Sequence, residues 1–524
     1  MANLDTCTPS TFNGISLFGA EIIQLLAEPV TGYNVNATEI DRLTEPAIVA
    51  DDISFCNVTV SYTHPDQDDH IIVETWMPAA DEWNSRLQSV GGGGLVGGRL
   101  PTSYATMNGA LAEGYIASTT DAGAPVVEPG QEKDWALESP GTVKFWNLEN
   151  FGSKAYGEQA VLVKDLAKIF YGKEPDYSYW NGCSTGGRQG LALAQRYPHA
   201  YDGIAAGAPA VSTTKLYGGL HWAQMFMLFN EAFPHRCELE ALRLAAIEAC
   251  DGLDGVKDGV VAEYELCFDE FDPFSHVGEE IDCGRDAGEG KMQISEDAAA
   301  VANASWHGIE TVDGRKMGLG GMGFTHETPL QFAQTNCTGS GTCTGDVNYL
   351  ILLYYAALVT ADPDFNVLDA THEELDQLNY VANEKLSSFL NTDNPDLTSF
   401  HGAGGKVIVW HGTADGTVPI GGSDAYTQRV QRQHHQDHED FYRYYRIPGM
   451  GHCALGRSRQ PSTLFAELRG WVENGTAPAE LPVEQLAGGG EVHDRILCPY
   501  PEVARYDERC GDPAKAECFS CEET

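Results

Sequence analysis

Hydrophobic and polar positions alternate one by one along residues 54–63 and 70–77, the period of a strand with one buried face. Over residues 157–170 the period changes. Ala160, Val161, Val163, Leu166, Ala167 and Phe170 recur at helical spacing, so this stretch predicts an α-helix. Residues 87–90 and 177–180 read as short strands, the second just past a turn at 173–175. A glycine-rich turn and a helical run over 188–197 come next. Strand, turn and helix in that order are an α/β signature. Residues 212–400 break the pattern with acidic loops, six cysteines and glycine-methionine stretches such as 317–324. Residues 406–410 and 441–447 then read as two buried strands. The pattern predicts one α/β core formed by residues 1–211 and 401–524, with 212–400 inserted as a lid domain over it.

Composition narrows what such a core can do. With 42% hydrophobic and 21% charged residues, the chain has the make-up of a packed globular protein. Its 524 residues would suggest three or four domains at roughly 150 each, a prior that the resumed α/β pattern overrides. The net charge of −44 repels phosphate backbones and anionic bilayers, which argues against nucleic-acid or membrane partners. The longest purely apolar run, 349–359, has 11 residues, whereas a membrane span needs about 20.

Fourteen cysteines without a paired CxxC zinc pattern, beside sequons at Asn36, Asn57, Asn303, Asn336 and Asn474, predict a secreted, disulfide-bonded glycoprotein. The start, Met-Ala-Asn-Leu-Asp, lacks the regions of a signal peptide, and is read as a mature secreted chain given a new start codon.

The strongest chemical signal is Gly182-Cys183-Ser184-Thr185-Gly186, a G-x-S-x-G motif between an expected strand and an expected helix. That context fits a nucleophile elbow, where small residues flank a serine on a strained turn. In α/β-hydrolases the acid and then the base follow the serine in the chain. Asp415 comes just after the strand-like 406–410, and His452 lies 37 residues further on, in Gly449-Met450-Gly451-His452-Cys453. Ser184, Asp415 and His452 are therefore the candidate triad. His411 is read as a turn residue or one that braces the acid. Cys183 precedes the serine and Cys453 follows the histidine. If the triad holds, these two are close enough to form a disulfide.

These motifs, with Leu-Ala-Gln-Arg-Tyr-Pro, Tyr-Asp-Gly-Ile-Ala-Ala-Gly-Ala-Pro-Ala, Cys56-Asn57-Val58-Thr59-Val60 and Cys498-Pro499-Tyr500-Pro501, resemble the tannase and feruloyl esterase family of secreted, mostly fungal α/β-hydrolases. The resemblance runs nearly end to end. It implies an α/β-hydrolase core and a serine ester hydrolase needing no organic cofactor. It implies oxyanion donors on the amide of Thr185 and in Gly91-Gly92-Gly93-Gly94, of which Gly93 is favoured. Gly92-x-Gly94-x-x-Gly97 also satisfies a dinucleotide fingerprint, but Leu100-Pro101-Thr102 speaks against the helix that motif requires.

In the insert, Asp251, Asp254 and Asp258 lie within eight residues and can wrap a hard cation. The resemblance makes this a structural calcium site, completed by the carbonyls of Val256 and Val260. It implies the disulfides Cys7–Cys56, Cys183–Cys453, Cys250–Cys267 and Cys498–Cys521, with Cys337–Cys343 as a small loop and Cys237–Cys283 and Cys510–Cys518 from what remains. His434-His435-Gln436-Asp437-His438 mimics a metal cluster but is read as solvated surface.

The expected partner is a small aromatic ester. Feruloyl or other hydroxycinnamoyl esters are preferred, and galloyl esters of the tannase branch, or another small aromatic ester, are the alternative. The charge predicts a preference for small esters over polyanionic pectin. A binding protein on the same scaffold would have a broken triad, and a peptidase would cleave the matching amide.

Overall fold

The structure, a computed structural model, describes residues 4–124, 132–284, 290–317, 323–338 and 343–523. Most of the 317–324 stretch lies outside them.

Nine strands build the central sheet: β1 (Glu21–Ala37), β2 (Ile48–Thr63), β3 (Ile71–Pro78), β4 (Arg86–Val90), β5 (Ile116–Thr120), β6 (Tyr177–Cys183), β7 (Gly203–Gly207), β8 (Lys406–Gly412) and β9 (Tyr442–Ile447). Their order is β1-β2-β3-β5-β4-β6-β7-β8-β9. The first four in that order pair antiparallel, and β5, β4, β6, β7, β8 and β9 run parallel.

Parallel neighbours require crossovers, which helices supply here. Helices α1 (Pro101–Ala112), α2 (Ala155–Tyr171) and α3 (Thr185–Arg196) connect β4 through β7. The insert, with α4 (Thr213–Asn230), α5 (Arg236–Cys250), α6 (Tyr264–Glu270), α7 (Glu296–His307) and α8 (His372–Leu390), falls between β7 and β8. Helix α9 (Gly421–His434) leads into β9, and α10 (Leu464–Asn474) follows it.

Both sheet faces are covered. Val407 and Val409 pack in one core with Val73, Leu166 and Trp180, while Ile408 and Trp410 pack in the other with Tyr179, Tyr445 and Trp471. This explains a departure from the alternation at 70–77. β3 is buried along nearly its whole length, and its Glu74 is kept inside by Arg99, Tyr104 and the indole of Trp76.

The insert has a third core, around Leu216, Tyr217, Trp306, Tyr355 and Leu386. Val143, Leu148 and Phe151, from the segment between β5 and α2, also pack there. Two hairpins, Leu481–Leu486 with Val492–Leu497 and Val503–Tyr506 with Phe519–Glu522, stand outside the central sheet. No helix among the described residues is long and apolar enough to cross a membrane.

One expectation needs correction. A helix does follow the glycine loop, because Pro101 is its first residue rather than a stop. Proline is favoured there, since its missing N–H would have no partner in any case. What separates the loop from a dinucleotide site is its packing against α3, described next.

Candidate active site

Strand β6 ends at Cys183 and α3 begins at Thr185, so Ser184 occupies the turn by itself. Its backbone is left-handed, with φ 63° and ψ −122°, a strained state for a non-glycine residue. The Ser184 amide donates to Gly207 O at the end of β7 (2.9 Å), and its carbonyl accepts from Arg188 N (3.0 Å). Glycine is needed at 182: a Cβ there would come within 2.7 Å of the Gly186 carbonyl.

The 91–94 loop closes onto this turn. Gly186 N donates to Gly92 O (3.1 Å), and the Thr185 hydroxyl donates to Gly94 O (2.7 Å). Gln189 clamps the pair, accepting from Gly92 N (3.1 Å) and donating to Gly97 O (2.9 Å). The loop is thus folded against the elbow rather than spread for a pyrophosphate. The amides of Gly91 and Gly92 are committed, to Asn181 O and Gln189, so any outward-facing donor of this loop belongs to Gly93 or Gly94.

Asp415 follows β8 and is fully buried. Its Oδ1 accepts the amides of Thr417 and Val418, both at 2.8 Å. Its Oδ2 accepts from His452 Nδ1 at 2.7 Å. Burial alone would raise the carboxyl. The charge of His452 and the hydrogen bonds of His411 and His452 outweigh it and hold the group below the usual carboxylate range. His411 is buried, with Nε2 donating to Val418 O (2.9 Å) and lying 3.2 Å from Asp415 Oδ2, while Nδ1 accepts from the Ser423 hydroxyl (2.8 Å). It therefore braces the acid's loop.

A disulfide joins Cys183 to Cys453, with Cα atoms 5.9 Å apart and the two residues 270 positions apart in the chain. The neighbour of Ser184 is thereby tied to the neighbour of His452. The other disulfides are Cys7–Cys56, Cys237–Cys283, Cys250–Cys267, Cys337–Cys343, Cys498–Cys521 and Cys510–Cys518.

Two cavities meet at these residues. Ser184 and Thr185 lie on the wall of one of about 330 Å³, with Leu95, Phe151, Tyr217 and Phe332. His452 lines the other, of about 490 Å³, with Arg243, Glu327 and Arg457. Gln331 and Thr417 line both and form a ridge between them, where the Gln331 amide donates to Thr417 Oγ1 and Gly416 O (2.7 Å each). Burial pushes the Glu327 carboxyl up to about 8, against the Val261 amide and the charges of Arg243 and Arg457. Glu327, Gln331, Arg457 and Gln189 carry no local sequence signal of such a role. Only Gln189 lies within a recognisable motif.

The acidic loop backs the histidine turn. A Cβ on Gly449 would lie 3.0 Å from Val260 Cγ1, and one on Gly259 would lie 3.4 Å from Arg457 Cζ. Asp251 Oδ1 accepts the amides of Asp258, Gly259 and Val260. Asp258 Oδ2 accepts from Arg495 at 2.6 Å. Burial, with the charges of Asp258 and Asp251 acting against the Val256 amide, pushes the Asp254 carboxyl up to about 6. The carboxylate and carbonyl donors are all hard oxygen, the kind a calcium-type cation takes, and one of them, Asp258, is paired with Arg495.

Among the described residues, the group whose metal-ligating atoms all lie within 4.8 Å of one another is His235, Cys237 and Cys283. Its cysteines are bonded to each other, so it offers no thiolates. His435 and His438 sit in an exposed turn, and His434 is occupied by the Leu397 amide.

A second histidine–aspartate pair lies elsewhere on the sheet. His64 Nδ1 meets Asp69 Oδ2 at 2.6 Å and its Nε2 meets Glu158 Oε1 at 2.9 Å. Burial would lower its pKa, but the hydrogen bonds to Asp69 and Glu158 and the charge of Glu158 outweigh this and lift it to about 9.

The chain is similar to known hydrolases along nearly all its length. The family model of tannase and feruloyl esterase matches residues 56–522. A probable feruloyl esterase of Arthroderma benhamiae is 33% identical over 484 residues, covering 90% of this chain and 86% of the relative. The tannase of Aspergillus oryzae is 27% identical, covering 86% and 82%. The solved tannin acyl hydrolase of Aspergillus niger superposes with a TM-score of 0.86 at 28% identity, covering 100% of this chain and 96% of that one. The elbow, the mixed sheet and this likeness lead to one conclusion: the chain belongs to the tannase and feruloyl esterase family of carboxylic ester hydrolases.

Proposed function

We propose that the protein is a secreted serine esterase that cleaves feruloyl or related hydroxycinnamoyl esters. The observation that carries this reading is the 2.7 Å contact of His452 Nδ1 with buried Asp415, on a turn disulfide-linked to the strained Ser184 elbow. Asp415 holds the imidazole with its proton on Nδ1, which frees Nε2 to take the Ser184 proton as the oxygen attacks the ester carbonyl. The oxyanion is received by the amides of Thr185 and of Gly93 in the 91–94 loop, and fixed donors of this kind contribute several kcal/mol. His452 then protonates the departing alcohol, and water activated by the same nitrogen releases the acid. The Ser184 cavity, walled by Leu95, Phe151, Tyr217 and Phe332, suits an aromatic acyl group.

Initial rates on methyl ferulate and methyl gallate, with Ser184→Ala as control, test this reading. Ferulate preference abolished by the substitution is expected. Gallate preference would support the second reading, a tannase, which the TM-score of 0.86 to tannin acyl hydrolase favours.

A calcium ion held by Asp251, Asp254 and Asp258 and the carbonyls of Val256 and Val260 would neutralise the loop behind the histidine turn. Chelation should then lower the melting temperature, and added calcium should restore it. Seven disulfides and the exposed sequon residues Asn36, Asn336 and Asn474 support an extracellular, glycosylated protein.

A further inference from the structure

We infer that the cavity beside His452 receives the alcohol half of the ester, and that Arg457 makes it select alcohols bearing a carboxylate. The inference rests on the triad reading in one respect. The group that protonates the leaving alcohol must face it, so the alcohol lies on His452's side of the Gln331–Thr417 ridge.

The two cavities differ in chemistry. The Ser184 side presents mainly apolar and aromatic walls, whereas the His452 side presents Arg243, Glu327 and Arg457. Arg243 is occupied, since its guanidinium is bonded to both oxygens of Glu240 and to Glu327 O. Burial pushes the Glu327 carboxyl up, which weakens it as a countercharge to its neighbours Arg243 and Arg457. Arg457 makes no ion pair or side-chain hydrogen bond among the described residues. Its Cζ would lie 3.4 Å from a Cβ placed on Gly259, and the carboxylate of the adjoining Asp258 is taken by Arg495.

An arginine with no carboxylate bonded to it is conspicuous in a chain with 76 acidic and 32 basic residues. Its planar fork matches a carboxylate in two parallel hydrogen bonds. The overall charge of −44 does not defeat this, because charges beyond about 8 Å are largely screened at physiological ionic strength. A single carboxylate seated in the cavity feels Arg457 first, whereas a polyanion lying along the surface feels the whole field.

The test uses two esters of ferulic acid that differ only in charge on the alcohol side, those of 3-hydroxybutyrate and 3-hydroxybutyramide. Wild-type protein should show the higher kcat/KM on the acid, with the advantage shrinking as salt is raised. Arg457→Ala should cut the acid-to-amide ratio of kcat/KM by about tenfold or more, mainly through KM, and Arg457→Lys should keep part of it. An unchanged ratio in a folded Arg457→Ala protein would overturn the inference.

A second arm needs no turnover: calorimetric binding of free 3-hydroxybutyrate and 3-hydroxybutyramide to Ser184→Ala protein. Tighter, salt-sensitive binding of the acid is expected, and equal binding of both would overturn the carboxylate preference even if Arg457→Ala failed to fold. Absence of methyl ferulate hydrolysis by the wild type would sink the feruloyl esterase reading instead, and the calorimetric arm would still decide the preference.

Discussion

Two histidines in this protein hold an aspartate in almost the same way, His452 on Asp415 at 2.7 Å and His64 on Asp69 at 2.6 Å. What differs is the other ring nitrogen. His64 Nε2 is closed by Glu158, whose second oxygen accepts from the Tyr62 hydroxyl, and Asp69 also accepts from Asn150. Two carboxylates favour the charged form of that imidazole, which pins β2 and the loop after it to α2. Among the described residues no such partner closes Nε2 of His452, and its ring faces a cavity. The far nitrogen therefore separates the two pairs: closed by a carboxylate it makes a strut, and open to a cavity it leaves the geometry the proposed base needs.

The comparison breaks most sharply at the aspartates. Asp415→Asn should lower kcat on methyl ferulate by about 10⁴-fold at neutral pH, because an amide facing Nδ1 stabilises the wrong tautomer. The melting temperature should change little beside that loss, and a rate within tenfold of wild type would remove Asp415 from the mechanism.

Asp69→Asn should do the reverse. It leaves His64 without its best-aligned buried partner and should cost about 3 kcal/mol of stability, as breaking buried pairs does. The kcat per folded molecule should stay as in the wild type. Chemical denaturation followed by active-site titration would separate the two quantities, and a stable but slow Asp69→Asn protein would refute the division into strut and base.

The smallest effect is on pH. His64 binds its proton more tightly when folded, at about 9 against 6.5 for the free side chain. Its contribution to stability is thus fully present below about pH 6.5 and is lost as pH rises through 9. Melting temperatures taken from pH 6 to 10 should fall over that window, and Glu158→Gln should move the fall to lower pH. A wild-type curve that rises across the window would contradict the assignment.

The triad candidates were readable because each sits in a short stretch at the end of a strand. Gly-x-Ser-x-Gly follows β6, Asp415 follows β8, and the Gly-rich turn of His452 follows β9. Strand β1 was not readable. Its 17 residues leave most positions exposed, Ile23 and Leu26 among them, and pairing with β2 rather than an apolar stripe holds it in place. Helix α1 was hidden because Pro101 reads as a breaker unless its place at the first turn is known. Glu327, Gln331 and Arg457 had no local signature at all. Glu327 and Gln331 lie between β7 and β8 and Arg457 lies after β9, so they meet only in the folded chain, as does Phe151 from the segment ahead of α2. His64 was silent for the same reason, since its partner Glu158 is 94 residues away.

The ridge of Gln331 and Thr417 has a consequence for how such an enzyme can diversify. If the two halves of the substrate touch different side chains across a common rim, as proposed, the choice of acid and the choice of alcohol are separate dials. A change at Tyr217 or Phe332 would turn one, and a change at Arg457 the other. Libraries varied on one wall should yield enzymes that differ along one axis while holding their place on the second. Two modest selectivities would then multiply into a narrow one.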